Sequence, residues 1–194
     1  MRIIIDSFLR RISIPVLAVL LLGATASADP GVYQSPDAFV EQAFSGEAPD
    51  ARALWLRAEL RDAVSDVLGH APAPRVRYWR RDGQTVWILD EVGKEKPITA
   101  GVVVREGAID DIRVLVFRES RGWEVKHTFF TRQFEDARLT SDGELSRSID
   151  GITGATLSVR AMKKMARVAL LLDAHARSKT TELAGAHTEP RAQR

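Results

Sequence analysis

The chain has 194 residues, 45% of them hydrophobic and 28% charged, with no cysteine and a formal net charge of +2. That composition suits one globular domain, with at most a small accessory element, and excludes a disordered chain. The lack of cysteine excludes disulfides, thiolate-held iron–sulfur clusters, c-type haem attachment and lipoprotein modification.

The N-terminus departs from this average. Arg2, Arg10 and Arg11 flank or precede the apolar run ISIPVLAVLLLGATA, which is followed by Ala26-Ser27-Ala28. A basic start, a short apolar stretch and an A-x-A triplet form a secretory signal pattern. The apolar run from Ile12 to Leu22 is short of the roughly 20 residues a bilayer span needs, and it contains Pro15. We expect residues 1–28 to be a cleaved signal peptide, with an uncleaved anchor as the alternative, and the protein to be periplasmic or otherwise extracytoplasmic. Losing residues 1–28 removes three arginines and Asp6, leaving 25 basic and 25 acidic residues. A balanced surface offers no electrostatic reason to bind nucleic acid, which depends on phosphate neutralisation.

Ser35-Pro36-Asp37 is an N-cap with proline at the first helical position. It opens a short predicted helix through Phe39, Val40, Ala43 and Phe44, stopped at Gly46. A second helix is predicted after Pro49-Asp50, where Leu56, Leu60, Ala63, Val64 and Val67 make one apolar stripe that ends at Gly69. HAPAP, residues 70–74, then serves as a stiff linker, so 29–74 forms a helical accessory segment.

From Arg75 the period changes to two. RVRYWR and TVWILDE flank Asp82-Gly83, a strong hairpin signal. PITAGVVVRE and AIDDIRVLVFRE flank Glu106-Gly107. Four such runs predict an antiparallel meander. A loop follows around Arg121-Gly122-Trp123, and HTFFTRQFEDARL carries a short helix or an irregular turn. The last helix begins at Thr156, with Leu157, Ala161, Met165, Val168, Ala169 and Leu172 on one face. Lys163, Lys164, Arg167 and Asp173 fall mostly on the other. Residues 178–194 are polar and aperiodic, which predicts a disordered tail. The expected class is α+β: an antiparallel sheet covered by an N-terminal helical pair and a C-terminal helix, with the main domain at 75–177.

Just before that last helix stands DGITGATLS, residues 150–158, with two glycines and three hydroxyls in nine residues. A helix N-terminus offers free N–H groups and a partial positive charge, a natural phosphate site. Gly151 and Gly154 let the backbone approach such a group, and Ala155 adds little bulk. On residue chemistry alone a plain cap by Thr153, Thr156 or Ser158 explains the turn as well.

The string resembles the flavinylation motif of the FMN-binding domain family, an aspartate followed by [S/T]-G-A-T and a nearby hydroxyl. Such domains occur in the flavin-carrying subunits of sodium-pumping NADH:quinone oxidoreductases, in Rnf-type complexes and in stand-alone exported flavoproteins. ITAGVVVREGAIDDIRVLVFRESRGWEV and FFTRQFEDARL are similar to further segments of the family, so the likeness spans Tyr78 to about Ala176. It implies FMN bound covalently, through a phosphoester, to Thr156. A magnesium-requiring flavin transferase that uses FAD as donor would install it. The same resemblance implies supporting roles for Asp150, Thr153, Gly154, Ala155 and Ser158. Asp150 would order the turn or help place magnesium during transfer, although an ordinary turn aspartate fits too. Glu119, Ser120 and Gly122 match the loop that borders the flavin ring in the family, but Ser-Arg stands where Thr-Pro is usual.

Trp123, Phe129 and Phe130 are candidate ring neighbours or core residues, and Arg118 or Arg121 could face a reduced flavin. Lys163 and Lys164 are either phosphate partners or solvated side chains. His70, His127, His175 and His187 lack metal-ligand spacing, so no metal site is expected.

Three functions remain compatible with these residues. One is an exported electron carrier with tethered FMN, served by an inner-membrane redox partner. A second is an oxidoreductase holding dissociable FMN that reduces a small molecule or metal chelate, and a third is an interaction module without cofactor. The motif, and the absence of any nicotinamide, P-loop or nucleophile signature, favour the carrier, which needs no catalytic residue of its own.

Overall fold

The structure, a computed structural model, describes residues 31–186, with side chains described through Lys179. The segment read as a signal peptide lies outside the described residues. Among the described residues, no helix is long and apolar enough to cross a membrane.

Five strands form one antiparallel meander in chain order: β1 (Arg52–Trp55), β2 (Arg75–Arg81), β3 (Gln84–Val92), β4 (Pro97–Arg105) and β5 (Ala108–Phe117). Two of its turns have the residues their geometry demands. Asp82 and Gly83 have φ of 46° and 76°, and Glu106 and Gly107 have 50° and 77°. Two successive left-handed residues make the type I′ hairpin whose twist matches the flanking strands.

The N-terminal segment carries the two expected helices, with a short strand between them that the sequence did not announce. Helix α1 (Pro36–Ala43) forms with Ser35 accepting from the Ala38 N–H. The second helix, α2 (Ala58–Leu68), starts eight residues after Asp50, because Arg52–Trp55 pairs with β2. Leu54 and Leu56 are both buried. Their spacing of two is that of a strand edge entering the core, and only Leu60, Val64, Val67 and Leu68 belong to the helical stripe.

The sheet is covered on both faces. On one side α1 lays Phe39, Val40 and Phe44 against Trp79, Val86, Val103 and Leu115. Gly101 of β4 makes room for it, since a Cβ there would stand 2.4 Å from the Phe39 ring. On the other side helix α4 (Thr156–Ala186) packs Met162, Met165, Ala169 and Leu172 across the larger core. Helix α4 continues to Ala186, past Ser178 where a disordered tail was expected.

Asp173 corrects the face assigned to it. It is fully buried. Thr85 donates to it at 2.8 Å, Arg177 donates at 2.8 Å, and the Trp87 indole N–H donates to the Thr85 hydroxyl at 2.9 Å. This chain ties α4 to the middle of the sheet. Burial pushes the Asp173 carboxyl above its ordinary range against the pull of Thr85, Arg177 and Arg80. Lys164 likewise turns inward, reaching the buried Glu91 at 2.9 Å and the Leu68 carbonyl. His70 meets the same carboxylate at 2.9 Å, and that hydrogen bond is the main cause of its raised pKa. Lys164 thus fastens α2 and α4 to β3.

Candidate functional site

The stretch 149–158 alternates anchors with exposed groups. Ile149 and Ala155 are buried and Ile152 is half-buried against the core, whereas Asp150, Gly151, Thr153, Gly154 and Thr156 face solvent. Apolar anchors at intervals of three hold the segment down. The polar residues between them stand out from the surface.

A tight turn closes from the Ala155 N–H to the Ile152 carbonyl at 2.9 Å, with Gly154 at φ 85°. That is the third-position conformation of a type II turn, which glycine adopts without strain. A Cβ on Gly154 or Gly151 would meet nothing within 4 Å, so the outer side of the turn is open.

Thr156 is the first residue of α4, and Ala155 holds the cap position with its carbonyl accepting from the Val159 N–H at 2.9 Å. Alanine has no side-chain acceptor. Among the described residues no side chain accepts from the N–H groups of Thr156, Leu157 or Ser158, so none of the three hydroxyls acts as a plain cap. The first turn keeps free donors and a positive dipole end beside an exposed threonine hydroxyl.

The loop after β5 forms one wall. Gly122 is buried at φ 87°, and a Cβ there would lie 2.4 Å from the Ser158 Oγ and 3.5 Å from the Ala155 Cα. Gly122, Ala155 and Ser158 therefore meet directly, as the sequence reading groups them. Gly122→Val would force a β-branched residue into a left-handed conformation and into Ser158. We expect a loss of about 2 kcal/mol or more, measured by denaturant unfolding, with a parallel fall in flavin loading.

Asp150 is held from the other side, its N–H donating to the Gln133 Oε1 at 2.7 Å. Gln133 lies in the short 3-10 turn Arg132–Phe134, which follows α3 (Thr128–Thr131). The Asp150 carboxylate itself is exposed.

Glu119 turns away from the helix start. Its Oε1 accepts from the backbone N–H groups of Lys94, Glu95 (2.7 Å) and Lys96 (2.9 Å), bracing the β3–β4 turn. Burial raises its pKa, but the three backbone donors and Lys94 outweigh this and leave it lowered. A depressed carboxylate stabilises the fold above its unfolded pKa, and that contribution is lost as pH falls through the folded value. Protection of the Lys94, Glu95 and Lys96 amides, relative to their intrinsic exchange at each pH, should fall as pH drops below the ordinary glutamate range. Glu119→Gln should show fast exchange already at neutral pH. Ser120 is exposed, and Arg118 reaches back to the Thr99 hydroxyl at 2.9 Å, leaving Arg121 exposed.

Beside Gly122 stands an open aromatic cluster. Trp123 and Phe129 are exposed, with His127 between them at centroid distances of 5.3 and 6.0 Å. Lys126 sits over the rings of Trp123 (5.1 Å) and Tyr33 (4.1 Å). Phe130 is instead fully buried against Phe134. Sequence reasoning missed Tyr33 and Lys126. Tyr33 arrives because its N–H bonds the Leu115 carbonyl at 2.8 Å, beside a bridge between Val32 and Val116. Nothing local to Tyr33 announces a contact made some ninety residues away.

An antiparallel sheet backed by a long helix, whose uncapped N-terminus presents a hydroxyl beside exposed rings, defines a domain suited to a phosphate-bearing aromatic cofactor. Residues 93–171 match the family model described as FMN-binding domain, which supports a flavin-binding protein with FMN as its cofactor. No curated protein matches the chain. The residues present fit the group: an open turn and free N–H donors for a phosphate, and exposed aromatics for a ring.

Proposed function

We propose that the protein is an exported electron-transfer flavoprotein in which Thr156 carries FMN through a phosphoester bond. The observation that carries this is the Thr156 hydroxyl, exposed on the first residue of α4 where the cap position is an alanine. A side-chain cap at 155 would compete for the N–H groups that favour a phosphate.

In attachment, the Thr156 Oγ attacks the FMN-side phosphorus of FAD. The new Oγ–P bond replaces the pyrophosphate bridge, AMP leaves, and the hydroxyl proton passes to a base. No histidine or free carboxylate touches Thr156 among the described residues, and a threonine hydroxyl is a poor nucleophile unaided. The base and magnesium are therefore assigned to a flavin transferase. The open side of Gly151 and Gly154 is the approach such an enzyme needs.

Once bound, FMN supplies one- and two-electron redox chemistry. The chain's own residues would hold it: the first-turn N–H groups would take the phosphate, Gly122 would keep the wall close, and Trp123, His127 and Phe129 would offer ring surfaces. Export and tethering support each other, since free FMN is scarce outside the cytoplasm and a covalent cofactor is not lost by dissociation. An inner-membrane protein is proposed as the redox partner.

The test is in-gel flavin fluorescence after denaturation of protein exported alongside an active transferase. A fluorescent band is the expected result. Yellow native protein that loses all fluorescence on denaturation would contradict the tether.

A further inference from the structure

One stripe of α4 joins the cofactor site to a cationic groove. Thr156, Arg160, Lys163 and Arg167 recur at helical spacing, and all lie on the side of α4 away from its buried face. At 1.5 Å per residue the stripe runs about 16 Å from Thr156. Arg160, Lys163, Lys164 and Arg167 line one wall of a groove of about 390 Å³, and the opposite wall includes Arg147 and Glu144. Five cations thus face one carboxylate.

Their pairing is uneven. Arg167 is bound to Glu144 at 2.9 Å and to the Gly143 carbonyl, which holds the 143–149 segment against α4. Lys164 is committed to Glu91. Arg147, Arg160 and Lys163 have no acidic partner within 4 Å among the described residues. The fold therefore uses two of its cations to build the groove and leaves three unneutralised, one of them a single turn from Thr156.

We infer that this groove docks an acidic surface segment of the protein that exchanges electrons with the flavin. The inference rests on the placement of FMN at Thr156 proposed above. Complementary charge steers weak, fast encounters of the kind electron exchange requires, and it orients the partner by register rather than by buried area. A partner carboxylate chain laid along Arg160 and Lys163 would bring its own redox centre to the exposed start of α4.

The experiment uses the full mature chain, flavin-loaded, and a fluorescent oligo-glutamate peptide as probe, followed by anisotropy across a salt series. Arg160→Glu with Lys163→Glu should weaken binding by on the order of tenfold and flatten its salt dependence. Arg160→Gln with Lys163→Gln should fall between that variant and wild type. The control pair Arg52→Glu with Arg61→Glu, exposed elsewhere, should bind like wild type. Unchanged affinity in the groove variants, or an equal loss in the control, overturns the proposal. So does tight binding of phosphatidylglycerol vesicles without peptide binding, which would make the groove a lipid surface. Displacement of the peptide by micromolar inorganic pyrophosphate would make it a small-anion site and likewise overturn it. Intact mass is read in parallel. Wild-type protein without flavin contradicts the assignment of Thr156, whereas loaded protein indifferent to charge reversal contradicts only the groove.

Discussion

Thr156→Val should abolish covalent flavin while leaving the fold intact. Valine keeps the branched shape of threonine and removes only the hydroxyl. Thr156 is exposed and makes no side-chain hydrogen bond among the described residues, so the change leaves no buried group unsatisfied. Its cost to stability should stay within about 0.5 kcal/mol, as for other surface substitutions. The loss of cofactor should be complete, because no other hydroxyl is comparably placed. Ser158 is buried under Gly122, and Thr153 lies within the Ile152–Ala155 turn, outside the helix. Thr156→Ser should retain part of the loading, since it preserves the nucleophile without the methyl that restricts its rotamer. Flavin retained covalently by the valine variant would sink the assignment.

Asp173→Ala should have the largest effect on stability. The change strips the acceptor from both Thr85 and Arg177, and the Thr85 hydroxyl is in turn the acceptor for Trp87, which is wholly buried. Removing the carboxylate leaves the buried Thr85 hydroxyl without its acceptor and unfastens α4 from the sheet, at a cost of about 3 kcal/mol. Denaturant unfolding at neutral pH should show this as a shifted midpoint at constant slope. A change smaller than about 0.5 kcal/mol would mean that the network contributes nothing beyond packing. Asp173→Asn keeps the shape and one acceptor, so it should cost less. It also isolates a pH effect whose sign is fixed. The folded pKa is raised, so the stability that Asp173 contributes is fullest below its unfolded pKa and is lost as pH rises through the folded value. Wild type should therefore gain stability relative to Asp173→Asn as pH is lowered into the ordinary carboxylate range.

The features legible in the sequence were those set by local chemistry. Asp82-Gly83 and Glu106-Gly107 carry their own turn type, and the motif around Thr156 announced both an exposed hydroxyl and a helix start. The errors came where distant residues decide the outcome. Arg52–Trp55 is too short to declare a strand, and Leu56 falls in phase with the stripe of α2 although Leu54 and Leu56 alternate as a strand does. Asp173 and Arg177 look like a surface i,i+4 pair, and only Thr85, 88 residues away, explains why the carboxylate is buried. Glu119 and Gly122 fall together in the loop whose pattern resembles the family's ring-bordering segment. The chain reverses between them, so Gly122 meets α4 while Glu119 braces the 94–96 backbone.

The most direct test of the central claim is the intact mass of the mature protein after denaturation, from cells exporting it with an active flavin transferase. The account predicts an added mass of FMN less one water, mapped to the tryptic peptide Ser148–Arg160 and within it to Thr156. An unmodified mass from yellow protein would contradict the tether and leave dissociable FMN, and with it the oxidoreductase alternative.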